Sequence, residues 1–554
     1  MPLTKSPVAR ILDLVKLEKS EISAIYFYAI LNGLIQLSLP LGVQSIIGFV
    51  LGASMRASLI ILIILVVAGV FMAGIMQVNQ MKIIEKIQQK IFVRYSFAIT
   101  EHIPKLDLKK TDKIYLPELV NRFFDIQVLQ KSISKLLLDI PSASIQILLG
   151  LLLLSFYHPA FIFFGIILVA ILWLILKYSG NKGLQTSIDE STYKYNVAGW
   201  LEETARIIKS IKLAKNSGLH IKKTDEHVAN YLDSRNSHFR ILLFQYNVLI
   251  VFKTVITAAM LIVGTLLLVN QQLNIGQFIA AEIIILLILN SVEKLIINLG
   301  TVYDTLTAVE KISGITDKPK ESNGTIICNE SESGLKIELK NVSFSYDDER
   351  NIINNLSAII NPNEKVCIRG KDSTGKSTLL QLIAGAFTDF KGALLLDDIP
   401  LGNYNLSSVR QQTGVLLSQQ DIFHGTLLEN ITFGNDNISL DSVKHFAAKV
   451  GLTEYIVASK TGYDTMLDPT GKKLPRNVVH KILLVRSLVG KPRLLLLEEP
   501  FLLLSNEHQH QVAELIHSLK NTTVIVVSND ENFAKGCDKI ITLTDRTDND
   551  GHNN

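Results

Sequence analysis

The sequence predicts a molecule of two parts, an α-helical membrane domain of six transmembrane helices followed by a domain in which β-strands and α-helices alternate. Composition is the first reason, because 48% of the 554 residues are hydrophobic and only 19% are charged, against about 25% charged in a typical soluble chain. The second reason is a set of charge-free apolar runs in the N-terminal half. The third is the charge balance, which changes from +7 over residues 1–334 to −3 over residues 335–554.

The composition also excludes several classes of protein. A chain this apolar is neither intrinsically disordered nor an ordinary cytosolic enzyme. Its three cysteines, Cys328, Cys367 and Cys537, lack the spacing of a metal site, and we expect free thiols in a reducing cytosol. The sequence has no long basic patch with interleaved aromatic residues, which argues against a nucleic-acid-binding protein.

The apolar runs locate the membrane spans. Charges are absent from residues 22–55, 57–81, 140–176 and 254–281. Because about 20 apolar residues cross a bilayer as a helix, the third run is long enough for two crossings, and His158-Pro159 divides it. The predicted helices lie near residues 22–50, 57–81, 136–157, 159–177, 243–270 and 275–299.

The distribution of Lys and Arg predicts the orientation. Segments 82–139 and 177–240 carry 11 Lys and Arg residues each, whereas the loops on the other side of the membrane carry almost none. The positive-inside rule places both segments and both termini in the cytosol. Gly and Pro are sparse in these segments, so we expect them to be helical extensions of the membrane spans.

Two charged residues, Lys253 and Glu282, fall inside apolar runs. Either they mark a polar point on a transport path, or their side chains reach back towards the lipid headgroups. At about 1.5 Å per residue their depths differ by roughly 13 Å, so we do not expect them to pair.

The C-terminal half begins after a polar linker. We predict a membrane domain over residues 1–316, a linker over 317–334, a soluble domain over 335–546 and a polar tail over 547–554. Residues 335–346 alternate between apolar and polar as a strand does.

A phosphate-binding loop follows the strand KVCIRG. The nine residues from Gly370 to Thr378 fit the pattern G-x-x-x-x-G-K-[ST], and their backbone N–H groups are expected to converge on phosphates. The loop consists of Gly370, Lys371, Asp372, Ser373, Thr374, Gly375, Lys376, Ser377 and Thr378. We expect the Lys376 ammonium to reach the outer phosphates and the Ser377 hydroxyl to ligate Mg²⁺.

A second buried strand, RLLLLEEP at residues 493–500, ends in Glu498 and Glu499. Acidic residues at the carboxyl end of a parallel strand are typical of a magnesium–nucleotide site. We expect Glu498 to hold Mg²⁺ through water and Glu499 to orient or activate the attacking water. The fold class is therefore a six-helix membrane domain plus an α/β P-loop nucleotide-binding domain.

With these motifs the chain resembles an ABC transporter half-molecule of the exporter type. Its membrane half is similar to peptide and type I protein-secretion exporters, through segments such as PELVNRF (117–123) and LNIGQFIAAE (273–282). The resemblance implies that Tyr346 stacks on adenine. It also implies ATP and Mg²⁺ as ligands, and a second half-transporter as partner, in either a homodimer or a heterodimer.

The chain departs from the pattern of that family at several positions. Ser418 occupies the glutamine-loop position, so that Gln419, the candidate metal ligand, comes one residue late. The signature LSGGQ is replaced by residues 474–478 (LPRNV), although Arg476 can still reach a phosphate with its side chain. Asn529 stands where the family has its switch histidine. The resemblance therefore implies a complete binding half and a weakened hydrolytic half.

Two functions remain open at this point. The first is an ATP-binding transporter subunit in a bacterial inner membrane, with its nucleotide domain in the cytosol. It would export a peptide, a protein or another amphipathic substrate that the sequence does not identify. The second is a pseudo-ATPase that serves as a structural or regulatory partner of another transporter or secretion complex.

Overall fold

The structure is a computed structural model, and it describes residues 5–52, 56–112, 114–214, 218–347, 351–418, 420–467 and 474–543. The chain divides into two compact units. The first unit comprises Met1–Pro104 and Ile114–Lys318, and the second comprises Lys105–Lys113 and Pro319–Asn554.

The long secondary-structure elements of the first unit are all α-helices. Its helices of ten residues or more are Pro7–Leu17, Lys19–Gln36, Ser38–Leu51, Arg56–His102, Asp125–Tyr157, Ala160–Arg206, Leu219–Val269 and Ile275–Thr316. Shorter helices are Leu116–Asn121 and Ile208–Leu213, with a 3₁₀ turn at Arg122–Phe124. Six helical spans in the described residues are long and apolar enough to cross a membrane, which confirms the predicted number.

Four of these helices are much longer than a bilayer requires. Arg56–His102 and Ala160–Arg206 have 47 residues each, Leu219–Val269 has 51 and Ile275–Thr316 has 42. At 1.5 Å per residue, 47 residues extend about 70 Å, roughly twice the thickness of the hydrocarbon core. Much of each polar segment between the predicted spans thus continues the membrane helices, but the helices end at His102 and Arg206 within these segments.

The N-terminal part of this unit differs in two details from the sequence prediction. The first span is broken at Leu37, because Pro40 has no N–H to donate to the carbonyl of Gln36. An additional helix, Pro7–Leu17, precedes the span, and the Ser6 hydroxyl caps it by accepting from the N–H of Ala9 at 3.3 Å. Its 11 residues are too few to cross a bilayer.

The core of the first unit contains the third and sixth spans, packed closely together. A Cβ on Gly150 would lie 2.9 Å from the Ile288 side chain, so only glycine permits this approach. Hydrogen bonds reinforce the same pair of helices, from the Asn298 amide to Asp139 at 3.0 Å and from the Ser291 hydroxyl to Gln146 at 2.8 Å.

The second unit contains eleven strands in the described residues. They are β1 (Ile337–Ser345), β2 (Asn351–Ile360), β3 (Lys365–Gly370), β4 (Lys391–Leu396), β5 (Ile399–Pro400), β6 (Thr413–Leu416), β7 (Gly425–Thr426), β8 (Met466–Leu467), β9 (Leu494–Glu498), β10 (Thr523–Val527) and β11 (Lys539–Leu543). An antiparallel sheet has the order β2-β1-β4-β5, and a parallel sheet has the order β11-β3-β10-β9-β6. Leu494–Leu497 of β9 are fully buried, as a central strand covered on both faces requires.

Helices cover the parallel sheet of this unit. The helices of the soluble half are Lys376–Ile383, Leu406–Gln411, Leu427–Thr432, Leu440–Lys449, Thr453–Ala458, Arg476–Leu488, Asn506–Ser518 and Glu531–Lys535. Their apolar faces pack on both sides of the sheet in two clusters, one around Leu495 and Leu497 and the other around Leu494 and Leu496. This packing fixes the strand ends that carry the candidate site.

A short piece of the N-terminal half also belongs to the second unit. The N–H of Asp107 donates to the carbonyl of Pro319 at 3.0 Å, and the N–H of Glu321 donates to that of Lys105 at 2.9 Å. Asp107 then caps the four-residue helix Leu108–Thr111. Segment 105–113 therefore folds together with the soluble half, although it follows the helix Arg56–His102 in the chain.

Candidate nucleotide-binding site

The predicted phosphate loop connects β3, which ends at Gly370, to the helix Lys376–Ile383. Gly375 caps this helix with φ +92°, in the left-handed region, and a Cβ there would lie 3.1 Å from the carbonyl oxygen of Ile352. Glycine is therefore required at this position. The N–H groups of the first turn of the helix are directed towards the loop, which is the arrangement that binds anions.

The loop lysine lies over its own backbone. The Lys376 ammonium donates to the carbonyls of Gly370 and Lys371, both at 2.7 Å, and lies 3.8 Å from the Asp372 carboxylate. Ser373 has φ +67°, and Thr374 donates to the carbonyl of Lys371 at 2.9 Å. Lys371, Asp372 and Ser373 are exposed, whereas Thr374 and Thr378 are buried.

Ser377 and Glu498 meet at the carboxyl end of β9. The Ser377 hydroxyl donates to one oxygen of the Glu498 carboxylate, and the backbone N–H of Ser418 donates to the other at 2.8 Å. A hydroxyl and a carboxylate are the oxygen ligands that Mg²⁺ prefers, so these residues fit the ion. Gln419, the third predicted metal ligand, lies outside the described residues.

Glu499 follows at the same strand end in an unusual backbone conformation. Its φ is +46°, which is rare for a residue other than glycine, and its N–H donates to the carbonyl of Val527 at 2.9 Å. Burial raises the pKa of the Glu499 carboxyl and Glu498 raises it further, whereas the Lys376 ammonium opposes the shift. A carboxylate with a raised pKa is a better proton acceptor than a solvated one.

Asn529 lies beside these acids, because β10 is the neighbour of β9 and Val527 pairs with Glu498. Its side chain is exposed two residues after the strand, and its carbonyl accepts from Arg369 at 3.4 Å. One edge of the parallel sheet thus carries Lys376, Ser377, Glu498, Glu499 and Asn529.

Tyr346 lies next to the loop helix. Its hydroxyl is 3.1 Å from that of Thr378 and donates to Gln381 at 3.3 Å. Its ring meets Phe344 and Phe387 edge to face, with centroids 5.0 and 5.4 Å away. The ring is half-buried, and its position beside the phosphate loop is suitable for contact with a nucleotide base.

Residues 474–478 form the start of the helix Arg476–Leu488. Pro475 caps this helix, and its carbonyl accepts from the N–H of Val478 at 2.9 Å. Within the described residues, no hydrogen bond or ion pair joins this segment to Gly370–Thr378. Residues 474–478 therefore make no direct polar contact with the loop among the residues that the structure describes.

Two family models cover most of the chain. The model described as the ABC transporter transmembrane region matches residues 22–292, and the model described as ABC transporter matches residues 353–502. The chain belongs to the ABC transporter family. Its fusion of a membrane region to one ATP-binding domain is that of an exporter half-transporter.

The relatives of this ABC transporter include proteins named for the transport of a lipid and of a toxin. It is 23% identical to an ATP-dependent lipid A-core flippase of Desulfotalea psychrophila, over 87% of this chain and 85% of that one. It is 27% identical to the alpha-hemolysin translocation ATP-binding protein HlyB of Escherichia coli O157:H7, over 62% of this chain and 49% of that one. A bacterial Atm1-family ABC exporter solved with ATP bound has the same fold, with a TM-score of 0.82 over 95% of this chain and 94% of that one, at 17% identity.

Several contacts in this ABC transporter were not predicted from the sequence. The Lys109 ammonium forms an ion pair with Asp389 at 3.1 Å and lies 5.7 Å from the centre of the Phe344 ring. Segment 105–113 thus lies next to the aromatic group that includes Tyr346. The N-cap Asp107 was a local signal for the short helix, but no local signal indicates its position beside Phe344.

Proposed function

We propose that this ABC transporter is one half of an export dimer in a bacterial inner membrane, with its nucleotide-binding domain in the cytosol. The dimer binds ATP and Mg²⁺ and uses the closure of its nucleotide-binding domains to export a peptide, a protein or another amphipathic molecule. The observation that carries the proposal is the meeting of Ser377, Glu498 and Ser418 beside the phosphate loop, with Lys376 at its centre.

Each residue of this group has a role in the proposal. The loop N–H groups from Gly370 to Thr378 and the Lys376 ammonium hold the phosphates, and Tyr346 stacks on adenine. Ser377 and Glu498 hold Mg²⁺, with Gln419 as a further candidate, and the ion neutralises phosphate charge when bound. Glu499 accepts a proton from the attacking water, which its raised pKa favours.

Hydrolysis is slow in this proposal because two parts of the site are altered. Residues 474–478 offer Pro475 and the side chains of Arg476 and Asn477, where the family pattern has small residues whose amides contact the γ-phosphate of ATP on the opposite subunit. Asn529 donates a hydrogen bond but carries no proton at neutral pH. ATP binding and dimer closure then dominate the cycle, and hydrolysis serves to reset it.

Segment 105–113 connects nucleotide binding to the membrane helices. Lys109 contacts both Asp389 and the Phe344 ring, and the segment continues directly from the end of Arg56–His102. A nucleotide that displaces the aromatic group at Tyr346 therefore moves a segment covalently attached to the second membrane span.

Equilibrium binding of a fluorescent ATP analogue to the purified full-length protein tests the proposal. We expect Lys376→Ala to weaken binding by about tenfold or more, because a charge-assisted phosphate contact contributes about 1.5–3 kcal/mol. Lys391→Ala removes an exposed lysine of the same unit as the matched control. Equal affinity in the wild type and Lys376→Ala would contradict the proposal, whereas binding without any hydrolysis would favour a pseudo-ATPase partner subunit.

A further inference from the structure

The sixth membrane span, Ile275–Thr316, has a partly exposed row of residues with an unusual composition. Residues three or four positions apart share one face of a helix. We call this row the polar stripe, and it consists of Ile275, Ile279, Glu282, Leu286, Asn290, Glu293 and Ile297. Three of these seven residues are polar and two of them are acids, in the span that is the most buried of the six.

Other spans show what a lipid-facing surface is like in this chain. No charged residue occurs over residues 57–81 or 140–176, and the large exposed side chains there include Ile61, Phe71 and Phe163. A carboxylate directed into hydrocarbon is strongly unfavourable, and membrane acids therefore face water or protein. The polar stripe is thus not a lipid-facing surface.

The two end residues of the polar stripe, Ile275 and Ile297, each line a cavity of the first unit. An outer cavity of about 860 Å³ is lined by Gln44, Asn274 and Ile275 among others. An inner cavity of about 370 Å³ is lined by Tyr246 and Ile297 among others. The 22 positions from Ile275 to Ile297 extend about 33 Å along the helix, close to the thickness of the hydrocarbon core. The stripe and its two cavities thus extend over the depth of the membrane.

The two acids of the stripe differ in their partners. Glu293 forms an ion pair with Lys253 at 2.6 Å, which also answers how Lys253 is accommodated in an apolar run. Glu282 forms no hydrogen bond or ion pair with any residue that the structure describes. It lies seven residues from Ile275, about 10 Å below the outer end of the helix, with Ile279 and Leu286 on either side.

We propose that the polar stripe lines the export route and that Glu282 makes the route selective for amphipathic organic cations, an inference that rests on the proposed function. The unpaired carboxylate supplies the opposite charge, and Ile279 and Leu286 supply apolar contact. At the inner end, Phe239 and Tyr246 are exposed beside the inner cavity. Aromatic faces attract organic cations, so the inner cavity has the chemistry to admit the same class of molecule.

Binding of radiolabelled tetraphenylphosphonium to the full-length protein in lipid nanodiscs tests this inference. Tetraphenylborate, an anion of nearly the same size and shape, is the matched competitor. We expect tetraphenylphosphonium to bind at least tenfold more tightly than tetraphenylborate. We expect Glu282→Gln to remove this preference by weakening cation binding about tenfold, and Glu282→Asp to retain most of it.

Two further measurements keep the outcomes distinct. Glu226→Gln removes an exposed acid of the cytosolic extension, and we expect unchanged cation binding. Equal cation binding in the wild type and Glu282→Gln would overturn the inference. So would dissociation of the dimer in Glu282→Gln with cation binding intact, because Glu282 would then contact the second subunit. The cation-binding assay needs no ATP. A wild type that fails to bind nucleotide would therefore contradict the proposed function, and the cation-binding result would still test the role of Glu282.

Discussion

The Ser377 hydroxyl donates a hydrogen bond to the Glu498 carboxylate across 121 residues of sequence. Ser377 stands on the first turn of the loop helix and Glu498 at the end of β9, and the parallel order of β3, β10 and β9 brings the two together. The N–H of Ser418 donates to the same carboxylate at 2.8 Å. Three separate segments therefore meet at one carboxylate.

Because Ser377 and Ser418 both donate to Glu498, we predict that Glu498→Gln weakens the binding of Mg²⁺. The amide oxygen of Gln can still accept from one of the two donors, but its NH2 group is itself a donor and the negative charge is lost. Loss of such a metal partner typically lowers metal affinity about 10–100-fold. We expect the Mg²⁺ concentration for half-maximal ATP binding to rise by that factor. Glu454→Gln, at an exposed acid in the same unit, is the control. An unchanged Mg²⁺ dependence in Glu498→Gln would place the ion elsewhere.

Glu499 predicts the pH dependence of hydrolysis. A general base must be ionised, and burial raises the pKa of this carboxyl above its ordinary value of 4.5. Hydrolysis is therefore lost as pH falls through a value above 4.5. Because Glu498 contributes to the raised pKa, Glu498→Gln at saturating Mg²⁺ is expected to move this acid limb to lower pH. Single-turnover rates between about pH 4 and 8 measure it, and an acid limb that stays in place in the variant would speak against Glu499 as the base.

The contact between Lys109 and Asp389 predicts that its removal uncouples ATP binding from the membrane helices and leaves the protein folded. An ion pair with one exposed partner contributes about 0.2–1 kcal/mol, so Lys109→Glu is expected to remain folded and to bind ATP. We expect ATP to change the thiol labelling of Gln272→Cys in an otherwise cysteine-free chain, and Lys109→Glu to abolish that change. The exchanged pair Lys109→Glu with Asp389→Lys is expected to restore it. Full ATP response in Lys109→Glu would show that this contact is not used.

Membrane orientation gives a further prediction. From the Lys and Arg counts we predict that segment 177–240 lies in the cytosol and that the turn at 270–274 lies outside. In a chain without its three cysteines, Gln272→Cys is expected to react with an impermeant thiol reagent in intact cells. Gln185→Cys is expected to react only after the cells are opened. Reaction of Gln185→Cys from outside would overturn the orientation.

Local pattern was sufficient to predict the fold class and the two conspicuous motifs. Charge-free length identified the six spans, and the loop Gly370–Thr378 stood between a recognisable strand and helix. Pairing across long sequence distances was not predictable in the same way. Lys253 pairs with Glu293, which lies in the next long helix, Ile275–Thr316. The sequence around these two residues does not indicate that they are in contact.

The position of segment 105–113 shows the same limit. Its Lys-rich sequence predicts part of a helical cytosolic extension, whereas the structure ends the long helix at His102 and folds the next residues against Pro319 and Glu321. Asp107 and Pro104 mark the break in the helix. The surface that receives the segment is built from Phe344 and Asp389, more than 200 residues later.

We propose that this ABC transporter binds ATP with a complete phosphate loop and that residues 474–478 limit hydrolysis. Loss of two charge-assisted contacts of about 1.5–3 kcal/mol each slows turnover more than about a hundredfold. Asn529 removes one such contact.

The most direct test compares ATPase rates of the purified dimer in liposomes for three chains: the wild type, a chain with LSGGQ at positions 474–478, and Asn529→His. We predict that the restored signature raises the rate about a hundredfold or more, and that Asn529→His raises it by a smaller factor. A larger gain from Asn529→His, or no gain from the restored signature, would contradict the claim.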